Sequence, residues 1–212
     1  MERIICLAIG YLFGMFQTSY IIGKIHHMDI RQYGSGNAGT TNALRTLGKK
    51  AGAMTLIGDM LKCVIAILIV DAVFKNRYQE ILPLLGMYTA AGCVLGHNFP
   101  FYLKFKGGKG IAVLAGLVVS TGFLLVPVPL AAFLIAVIFT RYVSLGSLLA
   151  ATMFFLEIVL FGVQGNLDLG AKYLPELYLL AGVIMALAWI RHRENIKRLL
   201  AGEENRFGSK KK

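Results

Sequence analysis

The sequence predicts an all-α integral membrane protein with seven transmembrane helices. The chain of 212 residues is 57% hydrophobic and has a mean hydropathy of +0.66, which is far more apolar than a soluble domain of this size. Its apolar residues form runs long enough to cross a bilayer, for which a helix needs about 20 residues. The charged residues gather in short stretches between these runs. We therefore expect one compact transmembrane domain over residues 1–212.

Six apolar stretches follow one another along the chain: 4–23, 53–74, 81–96, 111–140, 142–167 and 173–190. The first is longer than the apolar part of a signal peptide and lacks a small-residue cleavage site, so we interpret it as a retained span. The fourth is too long for one span and short for two. Pro127 and Pro129 at its middle favour two helices joined by a turn. A hairpin there makes seven spans, and an unbroken helix makes six.

The distribution of the 22 lysines and arginines favours seven spans. One side of the membrane then holds 5, 3, 1 and 8 of them, in residues 24–52, 104–110, 141 and 191–212. The other side holds only Arg3, Lys75, Arg77 and Lys172, while Lys62 lies inside a span. Six spans would move the basic C-terminal tail to the other side. Because basic residues accumulate on the cytoplasmic side, we predict that the N-terminus is outside and the C-terminus is cytoplasmic.

Composition also argues against several function classes. The net charge of +11 does not indicate nucleic-acid binding, because the cations are not spread over one soluble face. Cys6, Cys63 and Cys93 are isolated in apolar segments, and we interpret them as reduced core thiols. No cluster of His, Cys and carboxylate residues has metal-ligand spacing. We therefore predict neither a metal nor another cofactor.

Two glycine-rich polar segments interrupt the apolar chain, and the first cassette is GSGNAGTTNALRTLG (34–48). Glycines, small hydroxyl or amide side chains and a fixed cation are the groups that bind phosphate. Thr40 or Thr41 is the predicted N-cap of a helix whose free N–H groups point at an anion. Ser35 and Arg45 are candidate catalytic residues. The candidate phosphate ligands are Gly34, Gly36, Asn37, Gly39, Thr41 and Asn42.

The first cassette also contains the GxGxxG pattern of dinucleotide-binding proteins, followed by Asp59. The context argues against that function, because no buried strand precedes the glycines and Asp59 lies within an apolar span. A flexible loop that leads into a capped amphipathic helix is the remaining alternative to a phosphate site.

The second cassette is GHNFPFYLKFKGGKG (96–110), which directly follows the third predicted span. Glycines next to lysines indicate close approach of the backbone to a ligand. We therefore take His97 and Lys104 as candidate catalytic residues, and the candidate phosphate ligands are Gly107, Gly108 and Lys109. The alternative is that the lysines and aromatic residues only anchor a span at the membrane interface, with His97 an ordinary interfacial histidine.

Two further polar segments are predicted to lie on the same side of the membrane. One is RYVS, where Arg141 and Ser144 are candidate phosphate ligands. The other is RHRENIKRLLAGEENRFG (191–208), where His192 and Asn195 are candidate catalytic residues. These residues extend the predicted site beyond the two cassettes.

The tail segment is predicted to form an amphipathic helix near 192–202, which ends at Gly202. Glu194 and Arg198 are spaced to pair across one helical turn, and the apolar face contains Ile196, Leu199 and Leu200. A helix that lies on anionic headgroups is the alternative, and it is compatible with a role in the site.

Signatures of covalent acyl transfer are absent from the sequence. No His is followed by Asp at the fifth position, which removes the HxxxxD acyltransferase signature, and no serine has glycines two residues away on both sides. An organic-phosphate transporter would use similar glycine loops and cations. However, the chain has no internal repeat and no matched pair of broken helices, which are typical of transporters.

The polar segments together resemble one family, the bacterial acyl-phosphate:glycerol-3-phosphate acyltransferases. The matching elements are GSGNAGTTNALRTLGKKAG (34–52), DMLK (59–62), GHNFPFYLKFKGGKGIA (96–112), RYVSLGS (141–147) and HRENIKRLLAGEENRFG (192–208). Their order and spacing agree across nearly the whole chain. Met15 and Gln17 depart from the family pattern, which has Ser and Pro there, and Cys63 replaces a glycine.

The resemblance implies transfer of a fatty acyl group from acyl phosphate to the sn-1 hydroxyl of glycerol 3-phosphate. The products would be lysophosphatidate and phosphate, at the first step of phospholipid synthesis, in the bacterial plasma membrane with the site at its cytoplasmic face. Expected partners are the two substrates and membrane lipids, without nucleic acid. Because acyl phosphate is already activated, positioning and charge stabilisation could replace a nucleophile. The hydroxyl proton would go either to a substrate phosphate oxygen or to a side chain.

Overall fold

The computed structural model describes residues 1–208, and all regular secondary structure in that range is helical, as the sequence predicts. The ten α-helices are α1 (Glu2–Gly14), α2 (Thr18–Ile25), α3 (Thr40–Leu47), α4 (Lys49–Tyr78), α5 (Leu82–Asn98), α6 (Ile111–Ser120), α7 (Pro127–Thr140), α8 (Val143–Val163), α9 (Leu174–Arg191) and α10 (Arg193–Leu200). The final lysines, 210–212, which contribute to the predicted tail charge, lie outside the described residues.

Five helical stretches within residues 1–208 are long and apolar enough to cross a membrane: Glu2–Ile25, Lys49–Leu103, Phe123–Thr140, Val143–Val163 and Ala171–Arg191. The stretch Lys49–Leu103 contains both α4 and α5, joined by a short 3₁₀ turn. The shorter apolar helix is Ile111–Ser120. These lengths and compositions are those of an integral membrane bundle.

The predicted fourth apolar stretch, 111–140, is divided into α6 and α7. The intervening segment contains Gly122 at a φ of 110°, in the region that favours glycine, and α7 then begins at Pro127. Proline suits the first helical position because its missing N–H would have no partner there. The break therefore lies just before the two prolines, where the sequence predicts it.

The first predicted span, 4–23, is not continuous, because α1 ends at Gly14 and α2 begins at Thr18. The Lys62 ammonium donates to the carbonyl oxygens of Gly14 at 3.1 Å and Phe16 at 2.6 Å. Carbonyls at the end of a helix need donors from elsewhere, and inside a bilayer water cannot supply them. The buried lysine of α4 therefore stabilises the break in the first span.

Helices α1 and α5 pack with their backbones in close contact. A Cβ added at Gly10 or Gly14 of α1 would lie 1.9 or 2.1 Å from a carbonyl oxygen of α5. Likewise, a Cβ added at Gly92 or Gly96 of α5 would lie 2.1 Å from a carbonyl oxygen of α1. Small residues permit this close approach of membrane helices. The contact holds the break in the first span next to the end of α5.

Helix α5 is buried over most of its length and packs against α1, α4, α6 and α9. Helix α7 lies at the periphery and packs mainly on α8, so that its outer face is exposed and apolar. The connections bring the end of α5 and the beginnings of α4, α6 and α8 to one end of the bundle, together with the end of α9 and α10. Both cassettes lie at this end.

Candidate active site

A cavity of about 750 Å³ opens at the end of the bundle where the two cassettes meet. Its wall comes from the segment after α2, from both cassettes and from the α9–α10 junction. Two carboxylates line it, those of Asp29 and Glu194, against six cations: Arg31, Lys104, Lys106, Lys109, Arg191 and Arg198. The Arg31 guanidinium is paired with Asp29 at 2.7 Å. The remaining cations give this basic cavity an excess of positive charge.

Asn42 organises the loop of the first cassette from inside the protein. Its side chain is 1% exposed, and its Oδ1 accepts a hydrogen bond from the Ser35 N–H at 2.9 Å. Its Nδ2 donates to the carbonyl oxygens of Ile30 and Tyr33, each at 3.0 Å. Gly34 turns there with a φ of 61°, and a Cβ at this position would lie 2.2 Å from Asn42 Oδ1. The predicted ligand Asn42 therefore contacts backbone groups that shape the loop.

The residues that this loop presents to the basic cavity are Ser35, Gly36 and Asn37. The predicted ligands Gly34, Gly39 and Thr41 are not among the described residues of its wall. The predicted N-cap at Thr40 or Thr41 is wrong by one or two residues, because α3 begins at Thr40 and its N-cap is Gly39, which has no side chain to cap the helix. Arg45 is exposed on α3, and its positive charge is close enough to act on Lys109.

The second cassette contributes a strained turn and two backbone carbonyls. Lys104 and Phe105 have φ values of 55° and 59°, although neither is glycine, and such backbone strain is concentrated at functional sites. Lys104 lines the basic cavity, as does Gly107. The Arg191 guanidinium donates to the carbonyl oxygens of Gly107 at 3.1 Å and Gly108 at 2.9 Å. The glycine pair thereby holds an arginine in the cavity wall.

A hydrogen-bonded group of four side chains joins the second cassette to the tail. Lys109 donates to Asn195 Oδ1, and Asn195 Nδ2 donates to Glu204 Oε1 at 2.9 Å. Glu204 Oε2 accepts from Arg198 Nε, also at 2.9 Å. The predicted pairing of Glu194 with Arg198 is therefore wrong, since Arg198 reaches the more buried carboxylate of Glu204.

The pKa of Lys109 is lowered to about 8, chiefly by burial and also by the positive charges of Arg198, Arg191 and Arg45, while the Glu204 carboxylate opposes the shift. Three other cations thus act on the buried Lys109 ammonium. An anion placed there would relieve their mutual repulsion, as phosphate does in arginine and lysine clusters.

His97 is 3% exposed and lies behind the wall of the basic cavity. Its Nδ1 is 2.8 Å from the Lys62 ammonium. An ammonium can only donate, so Nδ1 accepts and the ring proton of neutral His97 is on Nε2. The ring packs on Gly108, where an added Cβ would lie 2.0 Å from Nε2. The predicted catalytic histidine therefore contacts the backbone of the second cassette.

His192 has the opposite proton arrangement. Its Nδ1 lies 2.7 Å from the Ala188 carbonyl oxygen, which can only accept, so Nδ1 carries the proton and Nε2 is free to accept. Burial and the charge of Lys109 lower the pKa of His192 to about 4. The imidazole is neutral at pH 7, and the side chain is 3% exposed and not among the residues that line the basic cavity.

The two candidates at the α7–α8 junction lie away from the wall of the basic cavity. Arg141 donates from Nε and Nη2 to the Phe207 carbonyl oxygen, at 3.0 and 2.7 Å, and the Arg141 carbonyl oxygen accepts from the Phe207 N–H at 2.7 Å. Arg141 thus attaches the tail to this junction. Ser144 is 6% exposed at the start of α8, and its Oγ has no hydrogen-bond partner.

Several side chains of the wall were not singled out from the sequence: Arg31, Lys106, Arg191 and Arg198. Lys106 and Arg191 directly precede the candidates Gly107 and His192, while Arg31 and Arg198 lie three residues from Gly34 and Asn195. The sequence signal for all four was a cation within three positions of a candidate residue. Glu204, which orients Asn195, gave no sequence signal beyond its place in the tail. Within residues 1–208 no group of three or more His, Cys, Asp or Glu side chains could hold a metal ion.

The fold and the cavity define an integral membrane protein whose basic cavity, at one end of the bundle, is suited to anionic ligands. The family profile "Glycerol-3-phosphate acyltransferase" matches residues 4–202. The glycerol-3-phosphate acyltransferase of Clostridioides difficile (strain 630) is 44% identical over 210 residues, with 98% of this chain and 97% of that protein covered. The enzyme of the same name from Halalkalibacterium halodurans is 42% identical over 216 residues, with 97% and 96% covered.

A solved structure is also similar: PlsY (YgiH), an integral membrane glycerol 3-phosphate acyltransferase, in its glycerol 3-phosphate form. It has a TM-score of 0.82 and 35% identity, with 98% of this chain and 96% of that chain covered. The chain belongs to the glycerol-3-phosphate acyltransferase family and is an integral membrane acyltransferase.

Proposed function

We propose that this protein transfers a fatty acyl group from acyl phosphate to the sn-1 hydroxyl of glycerol 3-phosphate. The products are lysophosphatidate and inorganic phosphate, at the first step of phospholipid synthesis. The basic cavity carries this proposal, because both substrates bring a phosphate and its cations outnumber its carboxylates. The PlsY structures are described as glycerol 3-phosphate and lysophosphatidic acid forms, which correspond to an acceptor and a product of this reaction.

In the reaction, the glycerol oxygen forms a bond to the acyl carbonyl carbon, and the bond from that carbon to the phosphate oxygen breaks. The phosphate leaves with the electron pair. Because this leaving group is already good, the protein needs only to align the reactants and stabilise the developing negative charge. The cations around Lys109 and the strained Lys104 lie where they can do this. No acyl-enzyme is required.

The roles of individual residues are part of the proposal. Arg45, Lys104 and Lys109 bind phosphate oxygens, while Ser35 and Asn195 orient the substrates. The glycines of both cassettes, Gly34, Gly36, Gly39, Gly107 and Gly108, allow close approach of the backbone to the substrates. The N–H groups of Gly36, Gly39, Gly107 and Gly108 already donate to backbone carbonyl oxygens of the protein, so side chains supply most of the donors. Asn37 and Thr41 add polar contacts, and Asn42 acts by shaping the loop that presents Ser35. Arg141 and Ser144 complete the proposed set of phosphate ligands, at the α7–α8 junction.

The hydroxyl proton of glycerol 3-phosphate passes to a substrate phosphate oxygen in this proposal. His97 is unsuited to accept it, because its Nδ1 already accepts from Lys62 and its ring lies behind the cavity wall. The side-chain alternative is His192: its ring is also buried and outside the cavity wall, but its Nε2 carries no proton. Loss of activity in His192→Ala that added imidazole restores would favour that alternative.

We further propose seven spans, with the N-terminus outside, the C-terminus cytoplasmic and the basic cavity at the cytoplasmic face of the bacterial plasma membrane. The count is supported by the turn within Lys49–Leu103 and by the separation of α6 from α7. The orientation rests on the concentration of lysines and arginines at the end of the bundle that holds both cassettes.

One experiment tests the identity of the acyl donor. Purified protein in lipid vesicles receives labelled glycerol 3-phosphate with acyl phosphate, acyl-CoA or acyl carrier protein. We expect labelled lysophosphatidate with acyl phosphate alone. Equal rates with either thioester would contradict the proposed donor, although not membership of the family.

A further inference from the structure

Lys62 lies within the apolar stretch Lys49–Leu103, and it is 5% exposed. Its ammonium is 2.9 Å from Asp59 Oδ1 and 2.8 Å from His97 Nδ1. The carbonyl oxygens of Gly14 and Phe16 also lie within hydrogen-bond distance, so four acceptors share the three N–H donors of this ammonium. Charged side chains are costly inside a membrane and tend to serve function. The contacts of Lys62 are therefore expected to indicate what this charge does in the protein.

Charge neutralisation alone does not account for these contacts. Asp59 is 1% exposed and also accepts from the Thr18 hydroxyl at 2.9 Å, so this carboxylate has two donors. A lysine that only balanced Asp59 and capped the break in the first span would need no imidazole partner. The bond to His97 reaches a third element, the end of α5.

His97 continues the connection towards the basic cavity. Its carbonyl oxygen accepts from the Gly108 N–H at 3.0 Å and from Gln17 Nε2 at 2.8 Å. Its ring fills the space that a side chain at Gly108 would need. Gly108 in turn accepts from Arg191, which lines the cavity. A contiguous series of contacts thus runs from the interior of α4 to the cavity wall.

We propose that Lys62 is a positioning residue of the active site. Through its bond to His97 Nδ1 it fixes the orientation of that imidazole, which sets the Gly107–Gly108 backbone and holds the Arg191 guanidinium where a substrate phosphate binds. The kinetic tests of this proposal rest on the proposed function, whereas the NMR measurement of the His97 tautomer does not.

The contact itself is tested in the unmodified protein. Protein labelled with ¹⁵N at histidine is assigned by His→Gln substitutions, and ring ¹⁵N shifts report which nitrogen is protonated. We expect His97 to carry its proton on Nε2, with Nδ1 unprotonated, and to lose this fixed tautomer in Lys62→Met. A proton on Nδ1 of wild-type His97 would overturn the proposal whatever the activity of the protein or the folding of any variant.

The action through His97 is tested with a double-mutant cycle. Lys62→Met should lower kcat/KM about tenfold or more in the wild-type background, but by less than about twofold when His97→Ala is already present. A full-size effect in both backgrounds would show a structural role alone and contradict the proposal. Lys75→Met, at an exposed position of the same helix, is the matched control and should retain wild-type kcat/KM.

A further variant separates folding from positioning. Asp59→Asn combined with Lys62→Met removes both buried charges, so no unpaired charge remains to prevent folding. We expect thermal unfolding close to that of the wild type and the same loss of kcat/KM as in Lys62→Met. Wild-type activity in this folded variant would contradict the proposal. Inactive wild-type protein would instead contradict the proposed function. The tautomer measurement would still show whether Lys62 donates to His97 Nδ1.

Discussion

The ammonium of Lys109 donates a hydrogen bond to the side-chain oxygen of Asn195, 86 positions later in the chain. Asn195 is held from its other side by Glu204. The second cassette, α10 and the tail therefore act as one unit at the wall of the basic cavity. A change of charge at Lys109 is expected to affect substrate binding directly.

The first prediction concerns pH. Lys109 has a pKa lowered to about 8, so it is charged below that pH and loses its charge as the pH rises through it. Loss of this cation removes a phosphate ligand, and we expect kcat/KM for glycerol 3-phosphate to fall above pH 8. Initial rates across a pH series, with acyl phosphate supplied fresh at each point, measure this effect.

Lys109→Arg is the control for this pH effect, because a guanidinium stays charged across the range. The variant should extend the activity plateau to higher pH, even if its maximum is lower. A falling limb at an unchanged pH would show that another group is responsible.

The second prediction concerns Arg45, which is exposed on α3 but acts electrostatically on Lys109. A charge-assisted hydrogen bond contributes about 1.5–3 kcal/mol, so Arg45→Ala should reduce kcat/KM at least about tenfold. Lys49→Ala removes an exposed cation at the start of α4 that is not among the charges that act on Lys109, and it should change kcat/KM by less than about twofold. Similar losses in the two variants would indicate a general charge effect.

The third prediction concerns Gly108. A Cβ there would lie 2.0 Å from His97 Nε2 and 2.6 Å from the Ala38 carbonyl oxygen, so Gly108→Ala must displace one of the cassettes. We expect a loss of kcat/KM of about tenfold or more, with the protein still folded in detergent. Gly182→Ala, whose added Cβ would meet only Phe155 at 3.5 Å, should be nearly neutral. A fully active Gly108→Ala variant would argue against close packing of the cassettes.

The fourth prediction concerns topology. The native thiols at Cys6, Cys63 and Cys93 are buried, so single cysteines can be added at exposed positions and labelled in intact cells. Lys106→Cys and Asn205→Cys should react only after the membrane is made permeable, whereas Lys172→Cys should react from outside. Labelling of position 205 in intact cells would contradict the seven-span arrangement.

The helical class and the polar segments were predictable from the sequence because composition and glycine–lysine patterns are local signals. The residues that line the cavity come largely from segments that the sequence singled out, among them Ser35, Lys104, Lys109 and Asn195. The division of residues 111–140 was likewise predictable, since proline acts on its own helix.

The break in the first span was not predictable, because the donor that stabilises it is a lysine on another helix, 46 positions away from Phe16. Likewise, the sequence places His97 in a polar cassette, which predicts a catalytic residue, and only the packing of α5 places its ring behind Gly108. Such roles depend on contacts between helices that a local pattern does not contain. The organising role of Asn42 was missed for the same reason.

The central claim is direct transfer from acyl phosphate to glycerol 3-phosphate in the basic cavity. The most direct test is the stoichiometry of a single incubation of purified protein with acyl phosphate and labelled glycerol 3-phosphate. We expect one inorganic phosphate released for each 1-acyl-glycerol 3-phosphate formed, and no acylated protein in samples quenched during turnover. Trapping of an acyl-enzyme, or phosphate release without labelled lysophosphatidate, would contradict the account.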